Sequence, residues 1–169
     1  RSIYPASVVK LFYAVAAEQW LQRDLIPDSD ELERALREMI ADSSNDATGL
    51  VMDLLTGTTS GPMLHGERWL MWQRQRNLVN EWLETLLWPE LELVNCCQKT
   101  WGDGPFGREK SFYGNDNANR NALTTAATAR MLEAVMTGAV VSPPACRRLR
   151  ALLQRSLDPA QRRADPENQ

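Results

Sequence analysis

The chain has 169 residues, 19 Lys and Arg against 22 Asp and Glu, and a formal net charge of -3. That length suits one domain with a core large enough to fold alone, and an acidic balance argues against a nucleic-acid-binding domain. Apolar residues at 43% and charged residues at 24% describe an ordinary globular composition; no apolar run reaches a membrane span, and one His with three Cys and no CxxC points away from a metal.

Val8, Leu11, Phe12, Val15, Ala16 and Trp20 fall at helical spacing and predict a helix over residues 8–23. Its apolar side chains cover more than one stripe, so it reads as central and buried. Asp28 to Glu31 offers a capping box, followed by Leu32, Leu36, Met39 and Ile40 on an amphipathic second helix. The polar run 42–46 interrupts it, and a third helix is expected over 47–56 with Gly57 as its stop. A loop over 57–66 precedes a long helical pattern over 67–87, closed by Trp88-Pro89, where a core or interface role is expected for the tryptophans. Residues 91–96 suit a short strand or one more turn. Residues 98–121, with four glycines and four asparagines, read as one long irregular loop. Thr124-Thr125 caps a helix ending at Gly138, with Met131, Leu132, Val135 and Met136 facing inward. Ser142-Pro143 opens a last helix to about residue 157, whose Arg147, Arg148, Arg150 and Arg155 read as a solvated face. His65 reads as a loop histidine, and Cys96 and Cys97 as buried small residues.

Two short patterns can carry chemistry. Ser7 and Lys10, in Pro5-Ala6-Ser7-Val8-Val9-Lys10, put a hydroxyl at a helix start and an amine one turn on, on the same face. There the helix dipole and unpaired backbone N–H groups favour a developing oxyanion, and the amine can move the hydroxyl proton. With 9 Ser and 3 Lys in 169 residues, a chance Ser-x-x-Lys is expected about 0.16 times. Ser43-Ser44-Asn45 supplies a second hydroxyl and an amide; beside Lys10, Ser43 can pass a proton to a leaving amine and Asn45 can hold a substrate amide. Both patterns equally suit plain helix caps, with the Lys10 stem lying along its helix.

Tyr4-Pro5-Ala6-Ser7-Val8-Val9-Lys10 on a hydrophobic helix, then Asp42-Ser43-Ser44-Asn45-Asp46-Ala47-Thr48 opening another, resembles the penicillin-recognising serine hydrolases, closest to the class A β-lactamases. The helix from Leu123 to Gly138 is similar to the one after the omega loop in that family. The resemblance implies an α/β sandwich of helices on an antiparallel sheet. This chain is expected to be mainly α, the helical part of that sandwich with its sheet strands largely missing. Residues 1–157 would be the helical part of one domain, and 158–169 a polar segment leading to a missing C-terminal sheet. A chain opening on Arg1 and closing on a polar stretch is accordingly expected to be a fragment. The third family motif, a Lys-x-Gly strand, is expected beyond Gln169, and residues 1–169 alone are expected to be poorly stable and catalytically silent.

The resemblance implies Ser7 as nucleophile, Lys10 as its activator, Ser43 as proton shuttle and Asn45 as a substrate-binding group. The Ser7 N–H would be half of an oxyanion hole. Counting back from Thr125 puts the omega-loop glutamate near Glu109, which by its local pattern reads as a loop ion-pair residue rather than as a base that positions water. Lys99-Thr100-Trp101-Gly102 mimics the third motif in the wrong order and reads as loop. The implied substrate is a β-lactam or related peptidic amide, with antibiotic resistance as the associated role, no cofactor or metal, and a cell-envelope or secreted location. Two rivals stand beside this reading: a D-alanyl-D-alanine peptidase-like hydrolase sharing both motifs, and a non-catalytic helical interaction domain in which those motifs are only caps.

Overall fold

A computed structural model describes residues 1–160; the expected polar segment 158–169 lies, from residue 161 on, outside the described residues. Among the described residues, the α-helices in order are α1 (Val9–Gln22), α2 (Asp30–Ala41), α3 (Asn45–Thr56), α4 (Gly66–Arg76), α5 (Leu78–Glu84), α6 (Gly107–Tyr113), α7 (Thr125–Thr137) and α8 (Pro143–Leu153). Extended pairing among the described residues is limited to two isolated antiparallel bridges, Ile3 with Leu123 and Asn95 with Ala122. The chain is mainly α, as the helical part of the expected sandwich.

α1 is the centre. Every residue from Val9 to Trp20 is buried, because α2, α3, α5 and α8 all pack on it. Trp20 ties α1 to its neighbours twice, donating from Nε1 to the Leu55 carbonyl at 3.0 Å and meeting the Trp82 ring edge-on at 5.8 Å. Short hydroxyls start four helices by accepting a backbone N–H three residues on: Ser29 for α2, Ser44 for α3, Thr124 for α7 and Ser142 for α8. In α2 the cap is thus Ser29 rather than an Asp28–Glu31 box, and Glu31 pairs outward with Arg34.

Other expectations are corrected by side-chain competition and tertiary packing. The helical pattern over 67–87 breaks at Asn77, whose amide Nδ2 donates back to the Gln73 carbonyl while its backbone turns out of the helix. Of the two expectations for 91–96 the turn holds and the strand does not: a 3-10 turn, Pro89–Leu91, precedes the isolated Asn95 bridge. Residues 98–121 are not one loop but contain α6. On α7, Met131 and Val135 are buried while Leu132 and Met136 are exposed, so its inner face is narrower than the apolar pattern. α8 ends at Leu153. The arginines expected as its solvated face are not simply solvated: on α8, Arg148 forks onto the buried Glu18 carboxylate and Arg150 donates to the Val135 carbonyl, and beyond its end Arg155 donates to the Ile40 carbonyl. Cys96, Cys97 and Cys146 are buried and free.

Candidate active site

Lys10 lies in the first turn of α1 and is only 2% exposed. Its ammonium reaches across to the start of α3, donating to the Ser43 carbonyl, to Ser43 Oγ at 3.2 Å and to Asn45 Oδ1 at 3.1 Å. Residues 33 and 35 positions away in sequence thus converge on one amine. Ser43 holds a φ of 53°, a left-handed region that side-chain-bearing residues rarely occupy. In that conformation its carbonyl and hydroxyl both face Lys10. Ser44, not Ser43, caps α3 through the Ala47 N–H, which leaves the Ser43 hydroxyl to Lys10.

Ser7 sits in the single 3-10 turn, Ala6–Val8, that leads directly into α1, and it is exposed. Ala6 before it has a φ of 46°. Non-glycine residues in this region cost of order 1–3 kcal/mol and cluster at functional sites. Ser7 thus follows such a residue and Ser43 is one, although Asp24, Leu87, Asp116, Asn117 and Val141 share the conformation elsewhere.

Glu109 belongs to a second polar cluster. It is fully buried on α6, forms an ion pair with Arg76 of α4, and accepts from Ser60 Oγ at 2.8 Å. Ser60 Oγ also accepts from Lys99 Nζ at 3.0 Å, and Lys99 donates to Asp53 Oδ2 of α3 at 2.7 Å. Arg76 Nη1 lies 3.6 Å from Asp53 Oδ1, and its guanidinium covers the Trp72 ring at 4.9 Å. Burial lifts the Asp53 carboxyl above its ordinary range, against the opposing pull of Lys99 and Arg76. The position of α6 is set at Gly107, where φ is 53° and an added Cβ would lie 2.2 Å from the Gly61 carbonyl oxygen. Only glycine permits that approach, and the next residue, Arg108, donates its N–H to the same carbonyl at 3.0 Å.

The structure thus gathers Lys10, Ser43 and Asn45, places Ser7 in the turn that leads into the helix of Lys10, and gives Glu109 the expected ion pair but on a helix, α6, rather than in a loop. Sequence reading missed Asp53, Ser60 and Arg76. A signal existed for Asp53, which is eight residues from Asn45 on one face of α3, and for Arg76, which is four from Trp72 on the apolar side of α4.

Among the described residues no helix is long and apolar enough to cross a membrane. A family model described as "Beta-lactamase enzyme family" matches residues 21–164. That stretch contains Ser43, Asn45, Lys99 and Glu109 and begins after Ser7 and Lys10. No curated protein and no solved structure matches the chain.

Proposed function

Since the chain belongs to the beta-lactamase enzyme family, we propose that it is a serine hydrolase that opens a β-lactam or related amide through an acyl-enzyme at Ser7. The observation that carries this reading is the Lys10 ammonium, buried at the base of the helix that Ser7 begins and bonded to both Ser43 Oγ and Asn45 Oδ1.

Ser7 Oγ attacks the carbonyl carbon of the amide and forms the new C–O bond. Its proton passes to Lys10 as Lys10 gives one up through Ser43 Oγ to the leaving nitrogen, and the C–N bond breaks. Lys10 ends as it began, so the step needs no external acid or base. The start of α1 favours the negative charge that develops on the substrate oxygen. Asn45, held by Lys10 through Oδ1, keeps its Nδ2 for a substrate carbonyl. Water then cleaves the ester and restores Ser7.

The Glu109 carboxylate favours a second reading of the same chemistry. Its Oε1 is engaged by Arg76 and Ser60 and the side chain is wholly buried, a setting that does not favour it as the base for the water step. That setting supports a slow second step and a persistent acyl-enzyme, as in a D-alanyl-D-alanine peptidase-like enzyme. The test is the rate of acylation by a fluorescent penicillin in Lys10→Ala and Ser43→Ala, followed by the decay of the adduct in the unmodified protein. General acid–base groups contribute roughly 10²–10⁴ in rate, so each variant is expected to slow acylation at least tenfold with its circular dichroism unchanged. Unaltered rates would leave both residues as caps.

A further inference from the structure

The face of α3 that presents Asn45 continues through Gly49 to Asp53, at i, i+4 and i+8. Asn45 is exposed and the other two are partly exposed, so this stripe borders solvent. Lys99 lies against its middle. Asp53 Oδ2 and Ser60 Oγ hold the ammonium at 2.7 and 3.0 Å, and a Cβ added to Gly49 would lie 3.8 Å from Lys99 Cδ and 3.9 Å from Nζ. The amine therefore stands beside the gap that Gly49 leaves, and Gly49 follows Asn45 by one helical turn, about 6 Å along the axis.

Nothing in the packing requires that gap. Contacts of 3.8–3.9 Å are ordinary, and alanine suits a helix interior better than glycine. Asp53 and Ser60 use two of the three N–H donors of Lys99 and fix its direction. Lys10 stands at one end of the stripe and Lys99 at its middle, with the Lys99 charge shared with the Asp53 carboxylate at the far end.

We propose that Lys99 is a specificity-determining residue, whose ammonium, through the gap at Gly49, takes a carboxylate on the acyl side of a substrate whose amide rests on Asn45. This rests on the reading of Asn45 as a substrate contact. A charge-assisted bond to a fixed, largely buried ammonium favours a carboxylate over a neutral group at the same place.

Two penicillins that differ in one group, a benzyl and an α-carboxybenzyl side chain, test this by equilibrium titration of Ser7→Ala protein, in which no acylation at residue 7 can follow binding. The α-carboxybenzyl compound is expected to bind at least fivefold more tightly than the benzyl compound. Adding Lys99→Met is expected to abolish that difference. Gly49→Ala, which fills the gap without touching the partners of Lys99, is expected to reduce it at least threefold while the protein melts no lower; it decides the matter where Lys99→Met fails to fold. Equal binding of the two compounds, no binding of the α-carboxybenzyl compound, or an unchanged preference in Gly49→Ala overturns the inference. Absence of a Ser7 adduct in the unmodified protein, with the preference intact, overturns the acylation reading alone.

Discussion

Arg76 and Glu109 are joined by an ion pair in which both side chains are wholly shielded from water. Four residues before Arg76 on the same helix, Trp72 stacks on Trp69 at 5.4 Å and meets the Phe112 ring edge-on at 5.3 Å, closing one side of the pair. α6 is thereby fastened to α4 by one charge contact inside an aromatic wall.

Breaking a buried pair leaves one uncompensated charge and typically costs about 3–5 kcal/mol, whereas replacing both partners by apolar groups is often close to neutral. Glu109→Gln leaves Arg76 only the more distant Asp53 carboxylate and is expected to lower the urea midpoint, by up to about 3 kcal/mol of stability. The double replacement Arg76→Met with Glu109→Met is expected to recover part of that loss. Additive losses in the double variant, or no loss in the single one, would contradict the coupling.

Asp53 gives a pH dependence of defined sign. Burial raises its carboxyl above the ordinary value of 3.8, so the folded protein takes up this proton at a higher pH than the unfolded chain does. Its contribution to stability is unfavourable at neutral pH. That contribution improves as the pH falls through the raised folded value towards 3.8, where the unfolded chain also protonates. The side-chain carboxyl carbon resonance of Asp53 should titrate with a midpoint above 3.8, and in Asp53→Asn this component of the stability profile should vanish. A midpoint at or below 3.8 contradicts the account.

The three cysteines should be silent to thiol reagents in the folded state. Burial pushes the Cys97 thiol up to about 12, and Cys96 is raised well above its ordinary range, chiefly by burial. Thiolate, the reactive form, is thus scarce at both, and Cys146 is buried against the Val140 carbonyl. At pH 8 a chromogenic disulfide should titrate no cysteine quickly in native protein and all three after denaturation. Rapid modification of one cysteine in the native protein would show that its segment opens.

What the sequence reveals here is mostly local chemistry. Ser44, Thr124 and Ser142 are readable as caps because the bond each makes spans three residues. Burial of α1 is readable because Phe12, Val15, Ala16 and Trp20 leave it no polar face. The Asn77 break is not, since helical spacing continues on both sides and one side-chain bond to a carbonyl decides it. α6 is hidden among glycines and asparagines; the loop ahead of it is pinned by Asn121, which holds the Cys97 and Gln98 N–H groups and the Gln98 carbonyl, contacts 23 and 24 residues apart in sequence. The meeting of Lys10 with Ser43 and Asn45 is expected from motif order. The burial of Glu109 is not, because it depends on an arginine placed among tryptophans on another helix.

The most direct test of the central claim is the site of covalent labelling. Protein expressed from the full open reading frame that encodes this chain is incubated with a penicillin, digested with trypsin and analysed by mass spectrometry. The peptide spanning residues 2–10 holds two serines, Ser2 and Ser7, which fragmentation separates. The account predicts the acyl mass on Ser7, and none in Ser7→Ala. An adduct confined to another serine, or no adduct with any serine-directed acylating or phosphonylating probe, contradicts it.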